Sequence, residues 1–338
     1  MIEPGAQFRI EAAQSPDAVV RQLSANRRIV AALAAQLAAS PPPLVITSAR
    51  GSSDHAATYA KYLMEKSTGI PVVSASPSIS SVYRVPMQVK GALHISISQS
   101  GKSPDILAAA QQAKKAGAIT VALLNLEDAP LAELVDHVIP LHAGPELSVA
   151  ASKSCIAAFA AVLDLTASWT KDAMLEQARD EAVRAVAAAK AMDWSAGLEL
   201  VTAQHLFVIG RGVGLAAAQE LALKFKEMCT LHAEAFSAAE VLHGPATLAG
   251  PEHPAIALVQ EDETAELVRA VARRLREQRG KVLIAEPGGA LPLPPPSHAV
   301  LRPLQILQAS YPLLAAFAAR RGRDPDKPPF LRKQTCTL

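Results

Sequence analysis

The chain has 338 residues, of which 50% are hydrophobic and 19% charged, and its formal net charge is +2. This length suits two domains, and the composition provides ample material for a core. Basic residues are spread along the chain and aromatic residues make up only 4%, so neither a nucleic-acid-binding stripe nor base stacking is indicated. The three cysteines are far apart and form no C-x-x-C pair, which is typical of a reduced, cytoplasmic protein. Charged residues or prolines interrupt the most apolar stretches, so no transmembrane span is predicted.

The first half of the chain alternates short apolar runs with helix-forming stretches. Residues 11–40 predict a helix rich in Ala and Leu, and residues 56–66 and a stretch ending near residue 170 predict two more. The predicted strands are 44–47, 71–74, 91–98, 118–124 and 137–141. Strands that alternate with helices predict a parallel sheet with helices on both faces, and ligands bind such sheets beyond the carboxyl ends of the strands.

Residues 94–105 combine a buried strand, a polar loop and a helix start in the sequence H-I-S-I-S-Q-S-G-K-S-P-D. The polar side chains of the loop are Ser98, Gln99, Ser100 and Ser103. A helix N-terminus presents unpaired N–H groups and partial positive charge, so hydroxyl groups in front of it form a cradle for a phosphate monoester. The alternative is a serine-rich turn that only caps the helix.

A second polar loop follows the predicted strand at 44–47. It contains Gly51, Ser52 and Ser53, directly before the predicted helix at 56–66. Both polar loops therefore follow strands of the same predicted sheet, and we expect them to meet at one pocket.

The second half repeats this pattern less clearly. Its predicted strands are 205–209, 255–259 and 281–285. A helix is predicted over 215–229, and Gly210-Arg211-Gly212 echoes Ala49-Arg50-Gly51 as a weak internal repeat. Here the second strand leads into acidic Q-E-D-E-T, which would repel phosphate, so one phosphate site per chain is predicted. Residues 287–298 are rich in Pro and Gly and predict a loop.

Residues 219–248 hold a dense set of titratable side chains in an otherwise apolar run. Glu220, Lys224 and Glu227 recur at i, i+4 and i+7, a spacing that by itself favours a solvated ion-pair stripe. H-A-E-A and E-V-L-H-G-P follow and add two histidines and more glutamates, which favours a functional site. These spacings form no compact ligand set, so no metal is predicted. G-R-G-V-G-L does not fit a dinucleotide fingerprint, so no cofactor is predicted.

These motifs carry a resemblance to a known family. S-Q-S-G-K-S-P-D resembles the phosphate loop of the sugar isomerase (SIS) domain. A-L-K-F-K-E, H-A-E-A and E-V-L-H-G-P resemble the second SIS domain in the isomerase half of glucosamine-6-phosphate synthase, and D-P-D-K-P-P-F-L-R-K-Q-T-C-T-L resembles its tail. The similarity covers roughly residues 10–338. It implies an α/β protein with two SIS domains, each a parallel five-stranded sheet flanked by helices in a three-layer αβα, flavodoxin-like fold.

The resemblance also implies an organisation and partners. The predicted segments are an N-terminal helical segment (1–40), a first SIS domain with the phosphate loop (41–170), a helical linker (171–195), a second SIS domain (196–322) and a tail that closes the active site (323–338). The implied substrate is a sugar 6-phosphate. A homodimer is expected, with no nucleic-acid or membrane partner.

Transferred residue by residue, the resemblance implies a role for each matching position. The phosphate would be held by Ser52, Ser53, Ser98, Gln99, Ser100 and Ser103. Val149 and Ala150, in the loop after Glu146, would contact the sugar through their backbone, and Glu146 itself would also be a sugar-binding residue. Glu227 would move a proton between C1 and C2, supported by Lys224. His243, supplied by the neighbouring subunit, would open the sugar ring, and Lys333 would form an imine with the open-chain ketose.

One departure from the synthase shapes the functional prediction. Position 2 is Ile where the synthase's glutaminase domain has its nucleophilic Cys, and residues 1–10 leave no room for that domain. The expected reaction is therefore glucosamine 6-phosphate plus water giving fructose 6-phosphate plus ammonia. Arg50 and Lys102 also depart from the family pattern, so the resemblance does not decide the sugar specificity. The alternatives are a fructosamine-6-phosphate deglycase, a galactosamine-6-phosphate deaminase and a non-catalytic sugar-phosphate sensor.

Overall fold

The computed structural model describes residues 4–295 and 298–333. Its helices are α1 Ala6–Ala13, α2 Ser15–Ala39, α3 Ser52–Thr68, α4 Pro77–Ser81, α5 Pro104–Lys115, α6 Pro130–Leu134, α7 Lys153–Thr170, α8 Ala173–Ala189, α9 Gly214–Cys229, α10 Ala238–Val241, α11 Ala265–Glu277 and α12 Arg302–Arg320. Its strands are β1 Val45–Ser48, β2 Val72–Ser74, β3 Leu93–Ser98, β4 Ile119–Leu124, β5 His137–Pro140, β6 His205–Gly210, β7 His232–Ser237, β8 Ala255–Leu258, β9 Val282–Glu286 and β10 Leu291–Pro292. The single helix predicted over 11–40 is thus two helices, which are separated at Gln14.

The described residues form two compact units. The first unit comprises Asp17–Glu146 and Lys153–Asp180, and the second comprises residues 4–16, Leu147–Ser152 and Glu181–Lys333. The domain boundaries drawn from the sequence stay predictions.

Each unit is built on one parallel sheet. The first unit has the strand order β2-β1-β3-β4-β5, and the second has the order β10-β9-β8-β6-β7. Numbered from its own first strand, the second sheet has the same order as the first, the flavodoxin-like arrangement. The predicted fold class is therefore confirmed: the chain contains two parallel five-stranded sheets flanked by helices.

The second sheet contains two strands that the apolar pattern does not predict. β7 covers the H-A-E-A run, and most of its residues are exposed or half-buried because it lies at the sheet edge. β10 lies inside the stretch 287–298, so the loop prediction there is wrong for Leu291 and Pro292. Proline is tolerated at this position because β10 is the other edge strand.

Burial of apolar faces holds the helices against the sheets. On α11 one face carries the buried residues Ala265, Val268, Val271, Ala272 and Leu275. This spacing of three and four residues makes one apolar stripe, which packs with β8 and β9 side chains such as Ala257 and Ile284. The arginines of α11 occupy its other face.

Helix α7 in the first unit is buried on all sides. Every side chain from Lys153 to Ala167 is buried, and Phe159 stacks on Tyr59 of α3 with ring centroids 4.9 Å apart. A helix that is apolar all round belongs to a core or to a membrane. Among the described residues, no helix combines the length and the hydropathy that a membrane span requires.

His94 is a buried polar residue at the centre of the first sheet. It lies on β3 with no exposed surface, and neither ring nitrogen has a hydrogen-bond partner within the described residues. Burial disfavours the charged ring and lowers the pKa of His94 from 6.5 to about 4. The folded protein therefore contains a neutral imidazole at neutral pH.

This histidine predicts a loss of stability in acid. Between pH 6.5 and about 4 the unfolded chain binds a proton at His94 that the folded chain does not, so the contribution of His94 to stability falls as pH falls. The full effect is about 3 kcal/mol, and it vanishes above pH 7. His94→Leu should flatten the fall in unfolding free energy measured by urea denaturation from pH 7 to pH 4. The exposed His232→Gln should keep the wild-type slope, and an unchanged slope in His94→Leu would contradict the prediction.

Candidate functional site

Two polar loops lie at neighbouring strand ends in the first unit. β1 and β3 pair in parallel, and the Oγ atoms of Ser48 and Ser96 lie 3.1 Å apart near their ends. α3 begins at Ser52 directly after the first loop, and α5 begins at Pro104 directly after the second. Both helix N-termini therefore lie at the carboxyl end of the strands of the first sheet, and serine hydroxyl groups lie in front of them.

The loop after β3 is held in shape by its own side chains. Ser98 Oγ accepts a hydrogen bond of 2.9 Å from the Gly101 N–H, and Ser100 Oγ accepts one of 3.4 Å from the Lys102 N–H. Gly101 has a φ of +62°, and a Cβ there would lie 2.7 Å from Ala129 Cβ and from Leu124 Cδ1. Only glycine fits this position without strain.

The predicted phosphate ligands are available at this end of the strands. Ser98 is buried. The other five predicted ligands are half-buried, namely Ser52, Ser53, Gln99, Ser100 and Ser103. The structure thus brings these six side chains to two neighbouring loops. Their role as phosphate ligands stays a prediction.

An ion pair that the sequence analysis missed connects the two loops. Arg50 Nε and Nη2 lie 2.8 and 2.7 Å from Asp105 Oδ2, and Asp105 is only 1% exposed. Asp105 Oδ1 also accepts the Ile106 N–H at 2.9 Å, within the first turn of α5. The sequence offered one signal for this ion pair, namely the opposite charges of Arg50 and Asp105 at the two polar loops. Asp105 was instead interpreted only as part of a helix start.

Helix α9 in the second unit carries a row of buried charges. Lys224 Nζ lies 3.1 Å from Glu220 Oε1 and 2.8 Å from Glu227 Oε2. The side chains of Glu220 and Lys224 are at most 1% exposed, whereas that of Glu227 is 22% exposed. The spacing of these residues favoured a solvated ion-pair stripe, and that prediction is wrong because Glu220 and Lys224 are buried.

Helix α9, which carries this row, packs against both α12 and β6. Phe225 of α9 meets Phe317 of α12 edge-on with ring centroids 5.2 Å apart. At its other end α9 starts close to β6, because a Cβ on Gly210 would lie 2.5 Å from the Gly214 carbonyl oxygen. Glu227 is the one carboxylate of the row that a molecule from solvent can reach, and Lys224 holds it in place.

The segment with the predicted sugar-contacting backbone is tied down at both ends. The buried Glu11 accepts N–H bonds from Leu147 and Ser148, and Tyr311 Oη donates to the Ser152 carbonyl at 3.1 Å. Val149 and Ala150 lie between these anchors, half-buried and buried respectively. No local pattern links Glu11 to this segment, because the two are far apart in sequence.

Glu146, in the first unit, has a local partner. Its carboxylate accepts hydrogen bonds from the backbone N–H of Ser154 at 3.1 Å and from the Ser154 hydroxyl at 2.6 Å. It therefore satisfies the first turn of α7. The predicted contact of Glu146 with a sugar stays a prediction.

Glu227 lies near the amino end of the strands of the second sheet, and His243 lies near their carboxyl end. The last turn of α9, with Glu227, leads into the amino end of β7, whereas His243 follows its carboxyl end. A strand of six residues spans about 20 Å. His243 is exposed on the turn after α10. Within one chain the two side chains therefore face different regions.

The predicted imine lysine lies at the end of the described chain. Lys333 is half-buried, and residues 334–338 of the predicted tail lie outside the described residues. The preceding stretch is anchored, because Asp326 accepts hydrogen bonds from the N–H groups of Gln7 and Phe8 at the start of α1. Within the described ranges, no group of three or more His, Cys, Asp or Glu side chains is placed to hold a metal ion.

Comparison with known proteins links this arrangement to one family. The SIS domain family profile matches residues 43–168 and 199–285. The glutamine–fructose-6-phosphate aminotransferase (isomerizing) of Leifsonia xyli is 32% identical over 308 residues, which cover 84% of this chain and 50% of that enzyme. The chain spans about half the length of the curated relatives it matches.

Solved structures match over nearly the whole chain. A protein from Silicibacter pomeroyi assigned as a phosphosugar isomerase has a TM-score of 0.89 and 39% identity, covering 95% of this chain and 99% of its own. Glucosamine-6-phosphate deaminase from Thermotoga maritima has a TM-score of 0.74 and 19% identity, covering 95% and 100%. At that identity the second match shows the shared fold alone.

The fit of Gly101 gives a testable prediction. Gly101→Ala should lower the free energy of unfolding by about 2 kcal/mol, because the new Cβ meets two side chains in a backbone conformation that favours glycine. It should also weaken binding of inorganic phosphate at least tenfold, measured by calorimetry. Gly69→Ala is the matched control, since its φ is +71° but nothing lies within 4 Å of the new Cβ. Equal phosphate binding by both variants and the wild type would contradict the prediction.

Proposed function

The chain belongs to the SIS domain family, and from that premise we propose that it is a phosphosugar isomerase that deaminates an amino sugar 6-phosphate. The favoured substrate is glucosamine 6-phosphate, which reacts with water to give fructose 6-phosphate and ammonia. The observation that carries the proposal is the buried Glu220–Lys224–Glu227 row. Burying such charges costs folding free energy, and a protein that only binds a sugar phosphate has no need of one reachable carboxylate fixed by a lysine.

In this proposal the phosphate group supplies binding energy away from the reacting carbons. The hydroxyls of the two polar loops and the N–H groups at the starts of α3 and α5 bind the phosphate oxygens. Because these donors are held by the loop's own hydrogen bonds, they position the sugar without large rearrangement. Residues Val149 and Ala150 contact the sugar through their backbone.

Ring opening precedes the isomerisation. His243 takes the proton from the C1 hydroxyl while the ring oxygen is protonated, so that the C1–O5 bond breaks and an aldehyde forms. Imidazole suits this step because it titrates near neutral pH. Since His243 and Glu227 of one chain lie near opposite ends of the strands of the second sheet, we assign His243 to the partner subunit of a homodimer.

Glu227 then moves the proton between carbons. Its carboxylate removes the C2 proton, the electron pair of that bond forms a C1–C2 double bond, and the C1 aldehyde oxygen takes back the proton held by His243, which gives an enaminol. The proton on Glu227 is returned to C1, which leaves a protonated imine (iminium) at C2. Water adds to C2 and ammonia leaves, so the products are fructose 6-phosphate and ammonia. Lys224 positions Glu227, and Lys333 forms an imine with the open-chain ketose in the reverse direction.

A second candidate, a fructosamine-6-phosphate deglycase, has one observation in its favour. Arg50 lies in the first polar loop, and its side chain is 51% exposed although Asp105 holds its guanidinium. An exposed cation at this end of the first sheet suits a substrate with an additional carboxylate, such as a fructosyl amino acid phosphate. The proton transfer and imine hydrolysis would use the same residues.

A substrate panel tests the proposal. Ammonia release is measured from glucosamine 6-phosphate, galactosamine 6-phosphate and N-acetylglucosamine 6-phosphate, and amine release from a fructosamine 6-phosphate. We expect ammonia from glucosamine 6-phosphate. Glu227→Gln should lower kcat by about 100-fold or more, because a positioned general base contributes that much, while the affinity for fructose 6-phosphate is retained. The exposed Glu277→Gln is the matched control and should keep full activity.

The other results of the panel separate the alternatives. If ammonia is released from galactosamine 6-phosphate alone, the substrate is that epimer and not glucosamine 6-phosphate. Amine release from the fructosamine alone would select the deglycase. Sugar-phosphate binding without any turnover would select the sensor, and turnover unaffected by Glu227→Gln would refute the role of that carboxylate.

Mixing two inactive variants tests the sharing of the site. If His243 of one subunit acts with Glu227 of the other, a mixed dimer of His243→Ala and Glu227→Gln contains one intact site. Random exchange of subunits should therefore restore about a quarter of the wild-type activity. Mixing after covalent cross-linking of each homodimer is the control and should restore none. Failure to recover activity after verified subunit exchange would show that both residues act within one chain.

A further inference from the structure

A cavity in the first unit lies away from both polar loops. It is formed by residues of α2, α7 and α8 together with Lys171, and it encloses about 710 Å³. Its apolar wall includes Leu23 and Ala34, and none of the predicted phosphate ligands lines it. This volume is within the range of small-molecule sites in proteins.

Asp164 is a buried carboxylate in the wall of this cavity. It is 5% exposed and is the one charged residue on α7 after Lys153. Two polar side chains meet the same oxygen: the Ser168 hydroxyl lies 3.5 Å and Arg179 Nε 4.0 Å from Oδ1. Oδ2 is buried without a hydrogen-bond partner in the described residues. A buried carboxylate oxygen without a donor is costly, so this atom is poised to accept a hydrogen bond from a ligand.

The charges around the cavity narrow the type of ligand. Arg179 is already engaged, because its Nε donates to Asp180 Oδ1 at 2.9 Å. Arg27 and Lys171 are exposed cations that also line the cavity, so an anionic group of a ligand would find partners there. The lining contains three basic and three acidic side chains, and a ligand with one charge of each sign preserves that balance.

We propose that this cavity binds a small zwitterionic molecule, whose ammonium group bonds to Asp164 and whose anionic group pairs with Arg27 or Lys171. Burial raises the pKa of Asp164 to about 6, so its carboxylate is ionised at pH 7.5 and attracts an ammonium group. The anionic group remains near solvent, where exposed cations meet it. Such a site gives the first unit a second ligand, separate from the sugar phosphate.

Calorimetric titration at pH 7.5 tests the proposal with three probes of one length. 6-Aminohexanoate carries both charges, hexylamine only the positive charge and hexanoate only the negative one, and none contains a phosphate or a sugar. We expect 6-aminohexanoate to bind at least tenfold more tightly than the other two. Asp164→Asn should weaken its binding at least tenfold, and Ala31→Leu, which places a larger side chain in the cavity wall, should do the same.

Two controls keep the test decisive. Asp128→Asn removes the same charge from an exposed site in the same unit and should bind like the wild type. Asp164→Asn removes a buried charge, so its melting temperature at pH 7.5 should match or exceed that of the wild type, which shows that lost binding is not unfolding. The proposal is overturned if no probe binds, if hexylamine or hexanoate binds as tightly as 6-aminohexanoate, or if Asp164→Asn binds like the wild type.

Discussion

A lysine buried between two carboxylates is the interaction on which the proposed chemistry depends. Taking an ammonium group out of water is expensive, and on α9 the cost is offset by Glu220 on one side of Lys224 and Glu227 on the other. The last member of the row, Glu227, stays partly exposed. The ion pairs that satisfy the buried lysine therefore also hold one carboxylate where solvent can reach it.

Parallel topology decides which functional groups can meet. In the first sheet β1 and β3 are neighbours and point the same way, so the loops that follow them lie at the same end of the sheet. In the second sheet the same rule separates Glu227, before β7, from His243, after it. Parallel pairing thus brings the two polar loops of the first unit together and keeps Glu227 and His243 of the second unit apart. This separation is the physical reason for assigning His243 to a partner subunit.

The buried acidic groups of this chain differ in how well they are satisfied. Asp105 receives both a guanidinium and a backbone N–H, and Glu146 receives a hydroxyl and a backbone N–H. Both lie at or near the start of a helix and accept a backbone N–H there. Asp164 instead has one buried oxygen without a donor among the described residues, and a cavity adjoins it. An unsatisfied carboxylate on an otherwise apolar helix is better explained by a ligand than by stability.

Local patterns predicted the strands of the first sheet, the starts of α3 and α5 and the polar loop before α5, because buried parallel strands read as continuous apolar runs and Gly, Ser and Pro mark turns directly. They missed β7 and β10, since edge strands are only partly buried and their sequences lack that run. Three features were decided by tertiary structure alone: the burial of Lys224, the pairing of Arg50 with Asp105, and the anchoring of Leu147 by Glu11. Each depends on residues distant in sequence, and a spacing of i, i+4 and i+7 is the same whether water or another helix covers it.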